Sequence, residues 1–499
     1  MKAVKHIRHG ARQALLAAAL ASVSLASVAQ DGRVDLPDMG NSASQVISPA
    51  EEREYARALL RQMRAYGVLV DDPQVAAFFE DMGFSLVAHS DRPDKDFTFV
   101  VLDEPNINAF AAPGGIIALH SGLIMAAENE HEVAGVLSHE IAHVTQLHLY
   151  RAFEKAQAMS IPLALAMLGL ILVGGGSGEA IQGALMGAQA AAVQSRINFT
   201  RQNEYEADRI GIQTLSRAGY DPDGMAGFFS KLGRLTRANG EGPPEFLRTH
   251  PVTVNRIAEA SNRAASMPEP TPSDGRMFYL MQARLRALVE KPERALPHFR
   301  SVLSGELTDA QTDAIHYGMA IALQRDGDYG EAERLLDRLA ADDPQQVAYT
   351  LQRADLYLDS GREDEALHVL AELYHSFPGN HAIAMQYSEA LLTRNRAAEA
   401  ETASVILRQQ LLRRENDPSL YALYARAANL SGDEVRATEA IAESYYQRGG
   451  VHEAVQQLER LAERDDLNYY QRARVSARLT ELRLELGTLV RGDDERHRG

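Results

Sequence analysis

Hydrophobic residues recur at helical spacing along much of the chain. Residues 48–67, SPAEEREYARALLRQMRAYG, show this periodicity, and the Ser-Pro pair at their start is typical of a helix N-terminus. A second helix is predicted from Asn129, which forms a capping-box pattern with Glu132. We expect this helix to continue through VLSHEIAHVTQLH at 136–148.

A short part of the chain alternates apolar and polar residues instead. Residues 96–105, DFTFVVLDEP, show the alternation of a strand. Residues 106–124, NINAFAAPGGIIALHSGLI, predict a β-hairpin that turns at Pro113-Gly114-Gly115. A small β-sheet is therefore expected among the helices.

The C-terminal part repeats with a period of 34 residues. The segments GDYGEAERLL and GREDEALHVL align, and the same spacing separates several of their glycines, alanines and prolines: Gly327 and Gly361, Ala332, Ala366 and Ala400, Pro344 and Pro378. This is the period of tetratricopeptide repeats, which stack helix pairs into a solenoid whose concave face commonly binds peptide segments. An irregular helical bundle is the alternative.

Two segments differ in composition from the rest of the chain. Residues 1–29 combine four basic residues with an apolar run and small residues at the end, which predicts a secretory signal peptide rather than a retained membrane anchor. Residues 159–193 carry almost no charge, but their dense apolar core is about 13 residues long, short of the roughly 20 needed to span a bilayer. We expect them to form a buried or interfacial hairpin that contacts the membrane peripherally or touches unfolded substrate.

Length and charge narrow the class of protein. A chain of 499 residues is too long for one hydrophobic core, so two or three domains are expected. The formal net charge is −17, and −21 once the signal peptide is removed, which argues against nucleic acid as a partner. The chain has no cysteine and therefore neither disulfides nor thiolate ligands. An exported protein of this kind suggests a bacterial envelope.

The helix at 129–148 carries candidate chemistry. His139, Glu140 and His143 fit the pattern HExxH, in which two histidines four residues apart share a helix face and can bind one metal ion. The glutamate lies beside the open coordination position, where it can accept a proton from water. Apolar neighbours indicate a buried, rigid helix; two ordinary surface histidines are the alternative.

A catalytic zinc site needs a third protein ligand. His148 is close in sequence, but it lies five residues after His143, about 500° around a helix. No glycine is present to break the helix between them. We therefore expect His148 on the polar face, pointing away from the ligand pair.

A second predicted helix, at 199–219, offers carboxylates instead. Glu204 and Asp208 are four residues apart on one face, so one can bind the metal while the other supports a ligand histidine. Physical reasoning alone leaves these two unranked. Glu206 is about 200° from Glu204 and is expected to face elsewhere.

HExxH followed by NEYEAD at 203–208 and RTHP at 248–251 resembles the zinc peptidase family that includes HtpX and the CAAX prenyl proteases. The resemblance implies one Zn²⁺ per chain, bound by His139, His143 and Glu204. It implies that Glu140 is the catalytic base and that Asp208 supports the ligands from behind.

The resemblance also concerns two further segments. NAFAAPGG at 108–115 is similar to the family's edge strand, along which substrate can lie, and the residues implied are Asn108, Ala109, Phe110, Pro113, Gly114 and Gly115. In similar periplasmic members, a histidine in the RTHP segment can occupy the fourth metal position and hold the enzyme latent. That role carries over to His250, with a simple loop cap before Pro251 as the alternative.

The predicted fold class is mostly α: an α+β peptidase domain of the gluzincin type with a small β-sheet, followed by an α-solenoid of tetratricopeptide repeats. The expected segments are a signal peptide (1–29), a polar leader (30–47), the zinc metallopeptidase domain (48–265), a linker (266–275), the repeat domain (276–485) and a charged tail (486–499).

The first functional hypothesis is a zinc metalloendopeptidase in the periplasm of a Gram-negative bacterium, with peripheral contact to the outer membrane. By resemblance, it degrades unfolded, misfolded or stalled outer-membrane proteins, has a chaperone-like role in their assembly, and contacts the assembly machinery through the repeats. The alternative is a non-proteolytic chaperone or scaffold that uses the repeat groove. An intramembrane prenyl-type protease is a third, weaker hypothesis, because it requires several membrane spans.

Overall fold

The computed structural model describes residues 48–156, 201–239 and 244–498. The predicted signal peptide, the polar leader and the apolar segment 159–193 lie outside these residues. Among the described helices, none is both long enough and apolar enough to cross a membrane.

The described chain begins with two helices, α1 (Pro49–Ala65) and α2 (Pro73–Ala88). Ser48 caps α1 in a complete capping box with Glu51, which satisfies donors at the helix start that have no partner within the helix. Asp72 caps α2, and its side chain accepts a hydrogen bond from the backbone N–H of Val75.

A three-stranded sheet follows: β1 (Thr98–Leu102), β2 (Ala109–Ala112) and β3 (Ile116–His120). The strand order is β1-β3-β2, with β1 parallel and β2 antiparallel to β3. The predicted hairpin and its turn are confirmed, and Gly114 and Gly115 adopt the positive φ values that the turn requires. Strand β2 therefore lies at one edge of this sheet.

Among the described residues, seven further helices belong to the N-terminal part: α3 (Ser121–Ala126), α4 (Glu130–Thr145), α5 (His148–Ala156), α6 (Arg201–Arg217), α7 (Asp223–Asn239), α8 (Glu245–Thr249) and α9 (Val254–Ala264). Helix α4 is buried from Glu132 to Thr145 because α2, β2, α6 and α7 pack around it. The prediction of a buried HExxH helix is confirmed.

The start and the end of α4 differ from the prediction. Asn129 caps the helix, but the Glu132 carboxylate binds Lys231 Nζ at 2.6 Å and the N–H of Glu128 instead of completing a capping box. Helix α4 ends at Thr145, because Leu147 takes a left-handed conformation with φ of 55° and α5 begins at His148. The predicted continuous helix through 148 is wrong.

Residues 268–275 form neither helix nor strand, and twelve helices follow them in the described chain. They are α10 (Arg276–Val289), α11 (Pro292–Val302), α12 (Asp309–Asp326), α13 (Tyr329–Asp342), α14 (Val347–Asp359), α15 (Glu363–Ser376), α16 (His381–Thr393), α17 (Ala397–Leu411), α18 (Pro418–Leu430), α19 (Glu434–Gln447), α20 (Val451–Ala462) and α21 (Tyr469–Arg498). Each packs against its neighbour in sequence, as helices of a solenoid do. The alanines at the repeat period, Ala332, Ala366 and Ala400, are fully buried between helices.

The helices of the repeats contact α1 and α2 at several places, two of which involve the opposite ends of the repeat domain. Arg284 of α10 binds the Asp72 carboxylate through Nε at 2.9 Å and Nη2 at 2.7 Å, and both side chains are buried. Arg61 of α1 donates to the hydroxyl of Tyr446 at 2.9 Å and to Glu485 at 2.8 Å. The first and the last repeats are therefore both attached to the N-terminal helices.

Candidate active site

The two histidines of HExxH lie on the buried helix α4. The Nε2 atoms of His139 and His143 are 3.0 Å apart, and both side chains are almost fully buried. Helical geometry alone brings them together, because residues four positions apart share a face.

Helix α6 brings Glu204 to the same point. Its Oε2 lies 3.6 Å from His139 Nε2, and its Oε1 lies 3.5 Å from His143 Nε2. Gly211 makes this close approach possible, since a Cβ at that position would lie 3.1 Å from the backbone nitrogen of His139 and 2.9 Å from the Met225 side chain.

His250 supplies a fourth donor from the segment that follows α8. Its Nδ1 lies 3.4 Å from His139 Nε2 and 3.2 Å from Glu204 Oε1. The His250 ring stacks on buried Phe246 with centroids 4.9 Å apart, and the N–H of Phe246 donates to the carbonyl of Ile107 just before β2. These contacts hold His250 over the histidine pair.

The donor set fits a metal ion. One ligand atom from each of His139, His143, Glu204 and His250 lies within 4.8 Å of the others. A tetrahedral site with bonds of about 2.0–2.1 Å places its donors about 3.3 Å apart, and five distances among the histidine nitrogens and the two Glu204 oxygens are 3.0–3.6 Å. Imidazole nitrogen and carboxylate oxygen are also the donors that zinc accepts.

Asp208 and Arg256 contact the residues of the donor set. Asp208 Oδ1 lies 3.0 Å from His139 Nδ1, the ring nitrogen that faces away from the other donors. The buried guanidinium of Arg256 binds Asp208 through Nε at 2.7 Å and Nη2 at 2.8 Å, and its Nη1 lies 2.8 Å from Glu204 Oε2. The sequence prediction missed Arg256. The available signal was the pair of carboxylates itself, because two buried negative charges need a cation nearby.

This environment keeps both carboxylates ionised. Burial raises the pKa of Glu204, but the surrounding histidines outweigh it and the pKa lies well below its ordinary value. Burial also raises the pKa of Asp208, and hydrogen bonds from Arg256 and His139 lower it below the usual value. Charged carboxylates are the form that binds or supports a metal.

Glu140 differs from these two. It is fully buried, and burial raises its pKa above the ordinary glutamate value, which favours proton uptake. Its Oε1 lies 3.6 Å from His250 Nε2. A hydrogen bond with the backbone of Ala111 in β2 lowers the pKa of Glu140, but by less than burial raises it. The carboxylate thus lies between the donor cluster and the edge strand.

The expected position of His148 is wrong. The left-handed turn at Leu147 carries His148 back against α4, where its Nδ1 lies 3.0 Å from the Nδ1 of His143. Its Nε2 lies 3.1 Å from Glu206 Oε2. Glu206 therefore faces away from the donor cluster as expected, but it binds His148, which in turn contacts His143. His148 is fully buried and does not belong to the four-residue cluster.

A cleft extends from the site along the edge strand. Its lining comes from the end of β2 and the following turn, from the junction of α4 and α5, and from α1. The lining residues are Ala111, Ala112, Pro113, Gly115, His143, Val144, Leu147, Leu149, Tyr150 and Glu52. The NAFAAPGG segment named from the sequence therefore borders both the cleft and Glu140.

Comparison with known proteins agrees with this geometry. Peptidase family M48 matches residues 72–264, and tetratricopeptide repeat families match 317–380 and 357–427. The chain is 33% identical over 480 residues to the beta-barrel assembly-enhancing protease of Escherichia coli (strain K12), covering 94% of this chain and 96% of that protein. The protein of the same name from Yersinia pestis is 34% identical over 456 residues, 90% of this chain and 91% of that protein.

A more distant relative matches the peptidase part alone. The mitochondrial metalloendopeptidase OMA1 of Arabidopsis thaliana is 34% identical over 152 residues, 30% of this chain and 28% of that protein. With similarity to the bacterial proteins along nearly its whole length, the chain belongs to the beta-barrel assembly-enhancing proteases, metallopeptidases of family M48 that carry tetratricopeptide repeats.

Proposed function

We propose that this protein is a zinc-dependent endopeptidase of the Gram-negative periplasm that removes misfolded or stalled outer-membrane proteins. One observation carries the proposal: three buried donors, His139, His143 and Glu204, converge at tetrahedral spacing beside the protonatable Glu140. The name of the bacterial relatives, which refers to β-barrel assembly, supports the choice of substrate class.

The side chains have separate roles in cleavage. A bound zinc ion supplies Lewis acidity that activates water and polarises the scissile carbonyl. Glu140 accepts the proton of the attacking water and delivers it to the leaving amine nitrogen. Asp208 holds the ring of His139 by its Nδ1, and Arg256 fixes Asp208 and Glu204 in turn.

Substrate adds as a strand to the edge of the sheet. Extended peptides bind exposed sheet edges through main-chain hydrogen bonds. Strand β2, with Asn108, Ala109 and Phe110 at its start and the Pro113–Gly115 turn at its end, is an edge strand of this sheet. Because Ala111 lies beside Glu140, a peptide added there passes the catalytic base.

His250 keeps the enzyme latent. Its Nδ1 lies 3.2 Å from Glu204 Oε1 and its Nε2 lies 3.6 Å from Glu140 Oε1, so the imidazole would hold the metal as a fourth donor in place of the attacking water. Substrate or a partner protein displaces His250 before cleavage begins. The repeats recruit clients and the assembly machinery, since solenoids of this kind bind peptide segments on their concave face.

The test is a comparison of the wild type with Glu140→Gln, which keeps the ligands and removes the base. We expect the variant to retain one zinc ion per chain and to lose cleavage of an unfolded outer-membrane protein. Cleavage at the wild-type rate would refute the proposed mechanism.

A non-proteolytic role as a periplasmic chaperone or scaffold is the second candidate, favoured by the closed position of His250. Assembly of outer-membrane proteins in cells that carry Glu140→Gln separates the two. Normal assembly would support a scaffold role beside proteolysis.

A further inference from the structure

A chain of polar contacts extends from His143 away from the donor cluster. His143 Nδ1 meets His148 Nδ1 at 3.0 Å, and His148 Nε2 meets Glu206 Oε2 at 3.1 Å. Arg151 Nη1 binds the same Glu206 oxygen at 3.1 Å. Both histidines are buried, so the contact between them is shielded from water.

The contacts define one arrangement of protons. When Nε2 of His143 binds a metal, its Nδ1 carries the proton and must donate. His148 Nδ1 then accepts, its own proton sits on Nε2, and this N–H donates to the Glu206 carboxylate. The orientation of the His143 ring is thereby fixed from behind.

The other ligand histidine is supported differently. His139 Nδ1 faces the carboxylate of Asp208 directly at 3.0 Å. His143 faces a neutral imidazole, and the carboxylate stands one residue further away. The two ligands of HExxH therefore have unlike partners behind them.

The backbone is bent to produce this contact. Leu147 adopts φ of 55°, which is unusual for a bulky residue. Strained conformations of this kind persist where the surrounding structure requires them, and they cluster at functional sites. A helix continued through 147 would turn His148 away from His143.

We propose that His148 is a positioning residue, which orients His143 and fixes its tautomer for metal binding through the contact between the two Nδ1 atoms. The inference rests on the proposed metal-dependent function, since His143 needs orientation only as a ligand. Glu206 and Arg151 hold His148 in turn.

The test measures zinc affinity by competition with a chelator, separately from cleavage. His148→Leu removes the acceptor and is expected to weaken zinc binding about 10- to 100-fold, the usual effect of losing such a partner. His148→Asn places an amide oxygen near the former Nδ1 and is expected to recover most of the affinity. His89→Gln, a change of an exposed histidine on α2's C-terminal side, is the matched control and should bind zinc as the wild type does.

Cobalt(II) substitution gives a second readout, because its visible spectrum responds to ligand geometry. We expect a changed spectrum for His148→Leu and a spectrum near that of the wild type for His148→Asn. A folded His148→Leu protein with unchanged zinc affinity and cobalt spectrum would overturn the inference.

Glu206→Leu decides the question if His148→Leu does not fold, because the Glu206 side chain is 35% exposed and tolerates replacement. Weaker zinc binding in this variant supports the positioning role of His148, and wild-type affinity refutes it. Failure of the proposed function has another signature: a wild type that binds no zinc removes both proposals, whereas unaltered affinity in the variants removes the role of His148 alone.

Discussion

Arg256 is the buried cation on which the two carboxylates of the site depend. We expect Arg256→Met to lower the free energy of unfolding of the metal-free protein by about 3–5 kcal/mol, the cost of breaking a buried ion pair by removing one partner. The structure supports the upper part of this range, because the guanidinium makes contacts of 2.7–2.8 Å with both Asp208 and Glu204, and all three side chains are nearly inaccessible to water. Methionine preserves much of the packing volume.

The assay is urea unfolding of chelator-treated protein followed by circular dichroism. Arg263→Met is the matched control on the same helix, since Arg263 pairs with Glu259 at 3.1 Å with about a third of each side chain exposed. Such surface pairs contribute about 1 kcal/mol or less. Equal losses in the two variants would refute the assigned role of Arg256.

Metal should compensate part of the loss. A divalent ion bound to Glu204 supplies positive charge where the guanidinium is missing, so zinc is expected to stabilise Arg256→Met more than it stabilises the wild type. The midpoint of urea unfolding with and without zinc checks this expectation.

Three further predictions concern His250, the Asp72–Arg284 ion pair at the junction with the repeats, and the loss of stability at low pH. His250→Ala should retain its zinc and cleave an unfolded client several-fold faster than the wild type. A zinc-loaded but inactive variant would contradict the proposal that His250 keeps the enzyme latent. Asp72→Asn should lower the free energy of unfolding by about 3–5 kcal/mol, since it leaves Arg284 buried without its anion; unchanged urea unfolding would exclude a structural role for the pair. Burial raises the pKa of Asp72 but Arg284 lowers it below the ordinary value, so the stability from this pair is present above about pH 4 and is lost as the pH falls through the lowered pKa. Acid titration of the wild type should show this loss, and Asp72→Asn should lack it.

Local rules were sufficient for the histidine pair of HExxH, for the hairpin and for the repeat helices. His139 and His143 share a face because the helix repeats every 3.6 residues, and this holds in any fold that keeps the helix. The hairpin at Pro113–Gly115 and the repeat helices follow from turn chemistry and from a regular period in the same way.

Local rules failed at Leu147. Nothing in its side chain predicts a left-handed conformation, and only the packing of α5 against α4 makes that conformation favourable. The error placed His148 on the wrong side of the helix, whereas it contacts the ring of His143.

The sequence by itself determined that two histidines and a glutamate share one helix, that a carboxylate-bearing helix lies about sixty residues further on, and that repeats follow. Tertiary structure decided which carboxylate meets the histidines: the close packing of α6 on α4 at Gly211 turns Glu204 towards their Nε2 atoms and Asp208 towards Nδ1. It also brought Arg256 between these carboxylates and His250 above them. Periodicity specifies which residues share a face of one element, but the meeting of two elements depends on long-range packing, which no local pattern encodes.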